Sequence, residues 1–202
     1  MLILLKHQMR KIVFATHNAH KLEEVKMILR GTIDVVGLTD IGCTEDIPEN
    51  ADTLEGNALA KAMYVHEKYG FSCIADDTGL EVDALDAAPG VLSARYAGEP
   101  SDSARNIEKL LREMEGATNR NAQFRTVIAF VADGVPKFFE GVIKGKIGFE
   151  RCGEKGFGYD PVFIPAGYEK SFAQMDASLK NKISHRALAI KNFKCFIKNL
   201  NQ

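Results

Sequence analysis

The sequence predicts an α/β protein, because segments typical of buried strands alternate along the chain with segments that carry helix caps and apolar stripes. The 202 residues are enough for one large domain, or for two lobes around a shared sheet, with a sizeable core. No repeat, low-complexity tract or linker rich in Pro, Gly or Ser divides the chain, and its 6 prolines are spread singly. We therefore expect one folding unit.

The first part of the chain alternates predicted strands and helices. Lys11–Ala15 is typical of a strand, and Asn18 is placed to cap the helix that follows it. A second strand is expected near residues 33–36. Residues 52–55, Asp-Thr-Leu-Glu, have the spacing of a capping box and precede a second helix that ends at Gly70.

The second part contains two more helices and a hairpin. Pro100–Ser103 is typical of a helix start. Residues 125–132 and 135–149 are expected to be antiparallel strands joined by an Asp133-Gly134 turn, and Ser184 is placed to cap the final helix.

Charge and cysteine usage exclude several classes of function. With 26 Lys and Arg against 27 Asp and Glu, the net charge of −1 gives no basic field, so we expect no nucleic-acid partner but a small, locally charged ligand. The 4 cysteines form no Cys-x-x-Cys pair, which favours reduced thiols in the cytoplasm and no zinc site. The apolar run after Met1 is too short for a signal sequence, and we expect no membrane association.

The stretch from Cys73 to Leu85 carries the strongest indication of chemistry. Ile74 and Ala75 are typical of the end of a buried strand, and residues 76–79, Asp-Asp-Thr-Gly, are expected to form the turn at its carboxyl edge, where open α/β sheets bind ligands. Two adjacent Asp side chains should point to different sides, so that one faces Mg²⁺ while the other anchors the loop. The alternative is an Asp-rich turn without a ligand.

Two helix starts combine cations with backbone N–H donors. Residues 16–21, Thr-His-Asn-Ala-His-Lys, join the first strand to its helix and are typical of a phosphate-binding segment, although they lack the P-loop pattern. Residues 184–186, Ser-His-Arg, repeat the arrangement at the last helix. Capped helices with solvated basic residues are the alternative for both.

A glycine-rich loop, residues 153–161, presents an aromatic ring. Glycines on both sides of Phe157 allow a base to stack on it, and Asp160 can accept hydrogen bonds from ring N–H groups. Lys180 is a further candidate contact for a phosphate or a base. A ring that only plugs the core, and a solvated lysine, are the alternatives.

Taken together, these motifs resemble the inosine/xanthosine triphosphate pyrophosphatase family. The resemblance covers nearly the whole chain from Met9 and makes residues 1–8 an N-terminal extension of a single domain spanning residues 9–202. Either Met1 or Met9 can be the natural start, and Gly56 stands where many relatives have Glu. The motifs that carry the resemblance, in the family's order, are Thr16–Lys21, Pro48-Glu49, Asn57-Ala58, Ile74–Leu80, Pro89-Gly90, Ser93–Tyr96, Gly156–Pro161 and Ile183–Arg186.

The resemblance implies a fold and a reaction. The fold is a two-lobed α/β structure built on a long, twisted mixed sheet flanked by helices, with the active-site cleft between the lobes and two chains in a homodimer. The reaction is Mg²⁺-dependent hydrolysis of deaminated purine nucleoside triphosphates (ITP, dITP, XTP) to the monophosphate and pyrophosphate.

The same resemblance implies roles for individual residues. Asp77 is expected to be the proton acceptor and a metal ligand, Glu49 a second metal carboxylate, and Thr78 a substrate contact. The nucleotide contacts are expected to be Thr16, His17, Asn18, Ala19, His20, Lys21, Phe157, Gly158, Tyr159, Asp160, Lys180, His185 and Arg186. For the His17 side chain the residues themselves indicate no role. Arg186 and His185 are expected to select the 6-oxo group of hypoxanthine and xanthine over the 6-amino group of adenine.

Two other functions remain open at this point. One is a nucleotide pyrophosphatase of the septum-inhibition type with other base preferences, which the motifs at residues 157–160 and 184–186 disfavour. The other is a nucleotide-binding regulator without turnover. Paired carboxylates at a strand end argue against the regulator, because binding alone gains little from negative charge near phosphates.

Overall fold

A computed structural model describes residues 11–200, and the chain divides into two compact units. Among the described residues, the first unit contains residues 11–77, Thr126–Gly141 and residues 186–200. The second unit contains Thr78–Arg125 and Val142–His185. The predicted N-terminal extension and the choice between Met1 and Met9 lie outside the described residues, and the domain boundaries stay a prediction.

A mixed sheet runs through the molecule. Within residues 11–200, its 7 strands have the order β2-β1-β3-β5-β6-β7, with β4 paired to β3. β1 is parallel to both β2 and β3, whereas β4 is antiparallel to β3 and β7 is antiparallel to β6. The strands are β1 Lys11–Phe14, β2 Asp34–Val36, β3 Cys73–Val82, β4 Pro89–Gly90, β5 Asn121–Ala132, β6 Val135–Ile147 and β7 Phe163–Pro165.

Five α-helices lie within residues 11–200, and the first three begin at polar caps. Asn18 and Thr53 each accept a hydrogen bond from a backbone N–H of the first turn, and Asp102 accepts two. The cap of the second helix is thus Thr53, not Asp52 as the capping-box spacing suggested. The helices are α1 Ala19–Leu29, α2 Leu54–Tyr69, α3 Ser103–Glu113, α4 Ala177–Ile183 and α5 His185–Leu200. None of them is long and apolar enough to cross a membrane.

In the first unit, helices cover both faces of β1. Ile12 and Phe14 point to one side, where they pack in a cluster with Val25 of α1 and Phe193 of α5. Val13 and Ala15 point to the other side, where the cluster includes three residues of α2, Ala58, Ala62 and Val65. Burial on both faces is typical of a strand inside a parallel α/β sheet. The parallel pairing of β1 with β3 places the carboxyl end of β1, at Phe14, beside Ile74, two residues before Asp76.

The second unit has its own apolar core. Leu80 and Val82 of β3 pack with Ile107 and Leu110 of α3. An aromatic group completes this core: the ring centroid of Phe163 lies 4.6 Å from that of Phe124 and 5.3 Å from that of Phe172. This core supports the loops that carry the second half of the candidate site residues.

The prediction of a turn at residues 76–79 is wrong, because β3 continues unbroken to Val82. The strand pairs with β4 beyond this point, through Leu80 with Gly90. Gly79 allows that pairing: a Cβ atom there would lie 2.8 Å from the carbonyl oxygen of Gly90. The adjacent carboxylates therefore sit inside a strand.

The predicted hairpin is confirmed. Asp133 and Gly134 both have positive φ, 53° and 74°, as a two-residue type I′ turn requires. The strands differ from the prediction at their far ends, since β5 begins earlier, at Asn121, and β6 ends at Ile147.

Candidate active site

The adjacent carboxylates of β3 contact different partners, as neighbouring residues of a strand should. Asp76 is 1% exposed and accepts hydrogen bonds from two cations, with Lys21 Nζ 3.0 Å from Oδ1 and Arg186 Nε 3.0 Å from Oδ2. Burial opposes ionisation of this carboxyl, but Lys21 and Arg186 outweigh it and hold the pKa of Asp76 well below its usual value. Asp76 is a buried anion whose charge is compensated within the first unit.

The guanidinium of Arg186, in the first turn of α5, joins Asp76 to a second carboxylate. Its Nη1 donates to Glu24 Oε2 on α1 at 2.6 Å, and 1% of the Arg186 side chain is exposed. Burial disfavours its positive charge, but Asp76 and Glu24 outweigh this effect and raise the pKa of Arg186. Arg186 thus ties α1, β3 and α5 together. Its expected contact with the base stays a prediction.

Asp77 lies in a different electrostatic environment. Its Oδ2 accepts a hydrogen bond from Asn57 Nδ2 of α2 at 3.0 Å, and the residue is 7% exposed. Burial raises the pKa of Asp77, and nearby Glu49 raises it further, against the opposing effects of Lys61 and Lys21. The protein therefore does not fully compensate a negative charge on this carboxyl.

Lys61 of α2 connects the glutamate predicted as a metal ligand to the strand of the two aspartates. Its Nζ donates to Glu49 Oε1 and, at 2.7 Å, to the main-chain oxygen of Asp76. Lys61 is 6% exposed, whereas the Glu49 side chain is about one third exposed, at 33%. The ammonium group of Lys61 also lowers the pKa of Asp76 and opposes the rise in the pKa of Asp77.

Sequence reasoning did not identify Asn57 as a polar contact in the site, nor Lys61 at all. Both lie on α2, 4 residues apart, and are buried although they border its apolar stripe. Two polar residues one helical turn apart beside an apolar face are the signal that could have found them.

The segment from Thr16 to Lys21 has the local structure of a helix start. Thr16 Oγ1 accepts from the N–H of Asn18, and Asn18 Oδ1 accepts from the N–H of Lys21, both at 3.1 Å. Burial lowers the pKa of Lys21, and Lys61 and Arg186 lower it further, although Asp76 opposes them. Ala19 and His20 lie in the first turn of α1, and both are exposed.

The His17 side chain turns away from this helix start. Its Nε2 donates to the main-chain oxygen of Glu45 at 2.9 Å. The hydrogen bond links the segment after β1 to the segment that carries Glu49.

Two side chains of the first unit, Asp77 and Lys21, have pKa values shifted against their charged forms. The raised pKa of Asp77 would return towards its usual value beside a bound cation, and the lowered pKa of Lys21 would do so beside a bound anion. Within residues 11–200, no group of three or more His, Cys, Asp or Glu side chains is arranged to hold a metal ion by itself. A metal here would have two protein carboxylates, Glu49 and Asp77, and would need further ligands from water and substrate.

In the second unit, Phe157 contacts both members of a buried ion pair, Asp160 and Lys180. Asp160 is 2% exposed, and its Oδ2 accepts from the N–H of Phe157 at 2.9 Å and from Lys180 Nζ at 2.6 Å. The ammonium of Lys180 lies 4.7 Å from the centroid of the Phe157 ring, within cation–π distance. The ring itself is half-buried, and Gly158 follows it with a positive φ of 59°. These contacts hold the ring in a defined orientation.

The remaining candidates of the second unit occupy supporting positions. Tyr159 donates its hydroxyl to the main-chain oxygen of Ser93 at 2.9 Å and is buried. The His185 ring stacks on Phe124, with centroids 4.4 Å apart, and is 4% exposed. Thr78 lies on β3 and is half-buried. The structure therefore groups the candidates within each unit and assigns several of them internal partners.

Comparison with known families decides the identity of this fold. The sequence model of one family, the Ham1 family, matches residues 12–196. The chain belongs to the Ham1 family. This confirms the resemblance that the motifs indicated.

Ham1-family relatives are similar to this chain along their whole length. A protein of Porphyromonas gingivalis named dITP/XTP pyrophosphatase is 57% identical over 190 residues, which cover 94% of this chain and 98% of the relative. A protein of Flavobacterium psychrophilum with the same name is 50% identical over 189 residues, which cover 94% and 100%. The solved structure of the Staphylococcus aureus Ham1 protein has a TM-score of 0.85 at 39% identity and covers 94% of this chain and 98% of that chain. The predicted α/β class with a mixed sheet is confirmed.

Proposed function

We propose that this Ham1-family protein is a nucleoside triphosphate pyrophosphatase that hydrolyses ITP, dITP and XTP to the monophosphate and pyrophosphate. The observation that carries the proposal is Asp77, a buried carboxyl of raised pKa beside Glu49, with Lys21 and Lys61 close by. Two relatives that are 57% and 50% identical bear the name dITP/XTP pyrophosphatase, which supports this choice of substrates.

The carboxylates fit Mg²⁺. This ion commonly uses one or two protein carboxylates and completes its shell with water and substrate phosphates. Glu49 and Asp77 provide such a pair, and the raised pKa of Asp77, caused by burial and to a smaller extent by Glu49, favours a cation beside it. When bound, Mg²⁺ would supply charge neutralisation at the phosphate oxygens.

Asp77 is the proton acceptor in this proposal. Cleavage between the α and β phosphates needs a water molecule in line with the bond that breaks, and a base that takes its proton. A carboxylate held within hydrogen-bond reach of that water is suited to take the proton. The hydrogen bond from Asn57 fixes the orientation of the Asp77 carboxylate without adding a full positive charge.

Lys21 and the first turn of α1 are suited to the phosphates. A helix N-terminus favours anions, and the lowered pKa of Lys21 means that an anionic partner would stabilise its charged form. Thr16 and Asn18 shape this turn through their own hydrogen bonds, and the pyrophosphate leaving group would be held beside it.

Phe157 provides the stacking surface for the purine. Stacking tolerates every base, so it supplies affinity rather than selectivity. We retain Arg186 and His185 as the residues that select the 6-oxo group. The ion pairs of Arg186 with Asp76 and Glu24 would hold its guanidinium in place for that task.

The deciding experiment is a product assay. ITP, XTP, ATP and GTP are each incubated with the protein and Mg²⁺, and monophosphate, diphosphate, pyrophosphate and orthophosphate are resolved. We expect IMP and pyrophosphate from ITP, little turnover of ATP, and none in EDTA. IDP with orthophosphate would overturn the proposal. Binding of ITP without any product would favour the regulator instead, and a preference for other bases would favour the septum-inhibition type.

We also propose a cytoplasmic homodimer, as the family resemblance implies, with no nucleic-acid or membrane partner. Light scattering coupled to size exclusion gives the mass of the species in solution, to be compared with the 22.3 kDa of one chain. A monomer that hydrolyses ITP would refute the dimer and leave the reaction intact.

A further inference from the structure

We propose that His17 and Glu45 are positioning residues that hold the metal carboxylate Glu49 in place relative to the phosphate-binding segment Thr16–Lys21. This proposal rests on the proposed function, because that function assigns the two segments to the metal ion and to the phosphates. It assigns a positioning role to the side chain of His17, for which the residues themselves indicate no role, and to Glu45.

We call the contacts of Glu45 with His17, Lys68 and Tyr69 the clamp. Its first contact is made by His17. Its ring Nε2 donates to the main-chain oxygen of Glu45 at 2.9 Å, across 28 positions of sequence. The donation requires a hydrogen on Nε2, which one neutral tautomer and the imidazolium both carry. Since the acceptor is a main-chain atom, the bond restrains the backbone of the segment around Glu45.

The second contact fixes the same residue to a rigid helix. The Glu45 carboxylate accepts from Lys68 Nζ at 2.6 Å and from the Tyr69 hydroxyl at 3.0 Å, both in the last turn of α2. The Cys43 thiol donates to it at 3.6 Å. The hydrogen bond from Lys68 is the main reason that the pKa of Glu45 falls to about 2, so the carboxylate is charged at neutral pH.

The third contact lies at the other end of the segment. Glu49, 4 residues after Glu45, binds Lys61, which lies 7 residues before Lys68 on α2. An extended segment of 4 residues spans at most about 14 Å, and 7 residues of helix rise about 10.5 Å. The segment is irregular, and its greatest reach exceeds the helical rise between its two anchors by only about 3.5 Å. A shift at Glu45 would therefore be transmitted to Glu49.

The clamp joins the two segments that must meet on one Mg²⁺–triphosphate unit. Without it, Glu49 would still lie near Lys61, but its distance to the phosphate-binding segment would be less restrained. Without the clamp, we expect a higher half-saturating Mg²⁺ concentration. We expect kcat at saturating Mg²⁺ to stay nearly the same, because Asp77 and its partner Asn57 are not part of the clamp.

The test uses the full chain and three variants. His17→Ala removes the donor, His17→Gln restores an N–H of similar reach, and Lys68→Met removes the anchor of Glu45 while keeping an apolar stem. His66→Ala is the matched control. That histidine also contacts a main-chain oxygen, of Phe71 at 3.0 Å, and lies on α2, but it does not contact the clamp.

Two readouts are measured, and one of them needs no turnover. In ITP hydrolysis, we expect the half-saturating Mg²⁺ concentration to rise about three- to tenfold in His17→Ala and Lys68→Met, the scale of one lost hydrogen bond. At saturating Mg²⁺ and ITP, Lys68→Met should keep kcat within about twofold. In hydrogen exchange, the backbone amides within residues 43–50 should exchange faster in His17→Ala and in Lys68→Met than in the wild type. His66→Ala should resemble the wild type in both readouts, and His17→Gln should restore wild-type exchange at residues 43–50.

The outcomes separate the clamp from the reaction. Wild-type protein that forms no IMP refutes the proposed function, and the exchange readout still tests the clamp. Unchanged exchange at residues 43–50 and unchanged Mg²⁺ half-saturation in His17→Ala would overturn the clamp while the reaction stands. An equal loss in His66→Ala would show general destabilisation and would also overturn it. If His17→Ala fails to fold, Lys68→Met decides alone.

Discussion

Replacement of Asp76 by Asn should destabilise the fold strongly. The variant keeps the shape of the side chain but loses the charge that faces Lys21 and Arg186. It also places an amide N–H where a cation donates. Since Asp76 is 1% exposed, water cannot replace the lost partner.

The magnitude follows from the two ion pairs. At 3.0 Å and an effective dielectric constant of about 20, Coulomb's law gives about 5.5 kcal/mol for each contact, and the cost of burying the carboxylate offsets several kcal/mol of the sum. Removal of one member of a buried pair typically costs about 3–5 kcal/mol in the free energy of unfolding, and we expect a loss in this range.

The assay is urea unfolding at two pH values. The pKa of Asp76 is lowered in the folded protein, so its contribution is fully present above the unfolded pKa, near 4, and is lost as pH falls through the folded value. The difference between wild type and Asp76→Asn should be full at pH 7 and should shrink below about pH 4. Asp176→Asn is the control, because its partner Lys155 and the carboxylate are both exposed. Equal stability of Asp76→Asn and wild type at pH 7 would refute the reasoning.

Three further substitutions test the roles in the proposed reaction. Asp77→Asn should lose most of kcat while nucleotide binding, measured by calorimetry, survives; a folded variant with wild-type turnover would reject Asp77 as the base. Phe157→Ala should raise KM for ITP and ATP to a similar extent, because stacking does not read exocyclic groups; a selective loss would contradict this. Arg186→Lys keeps the buried charge but loses the planar fork, and the preference for ITP over ATP in kcat/KM should fall by about 1–3 kcal/mol. An unchanged ratio would place base selection elsewhere.

Local patterns in the sequence predicted most of the secondary structure, because the helix caps and the hairpin turn act over a few residues. Asn18 and the Asp133-Gly134 pair illustrate this, since their side chain or backbone preference determines the structure whatever lies far away. The short strands β4 and β7 and the helix α4 were not predicted. They carry little periodicity of their own and depend on pairing or packing with distant segments.

The strand β3 shows why the site was predicted only in part. Asp76 and Asp77 are typical of turns, and a strand buried on both faces has no polar alternation that would have revealed its continuation. What allows Asp76 inside the strand is Arg186, which is 110 positions away in sequence. Likewise, the motif at residues 184–186 indicated a cation at a helix start but not the buried carboxylates that it meets.

The alternating charges Glu24, Arg186, Asp76 and Lys21 also constrain how this protein can diverge. Each inner member has two partners of opposite sign, so a neutral substitution at one position leaves an uncompensated charge at the next. Changes at Glu24 and Arg186 should therefore be tolerated together more readily than one at a time, with a favourable coupling energy in a double-mutant cycle. Among diverging descendants of this chain, we expect these positions to change in pairs, through a narrow set of intermediates that still fold.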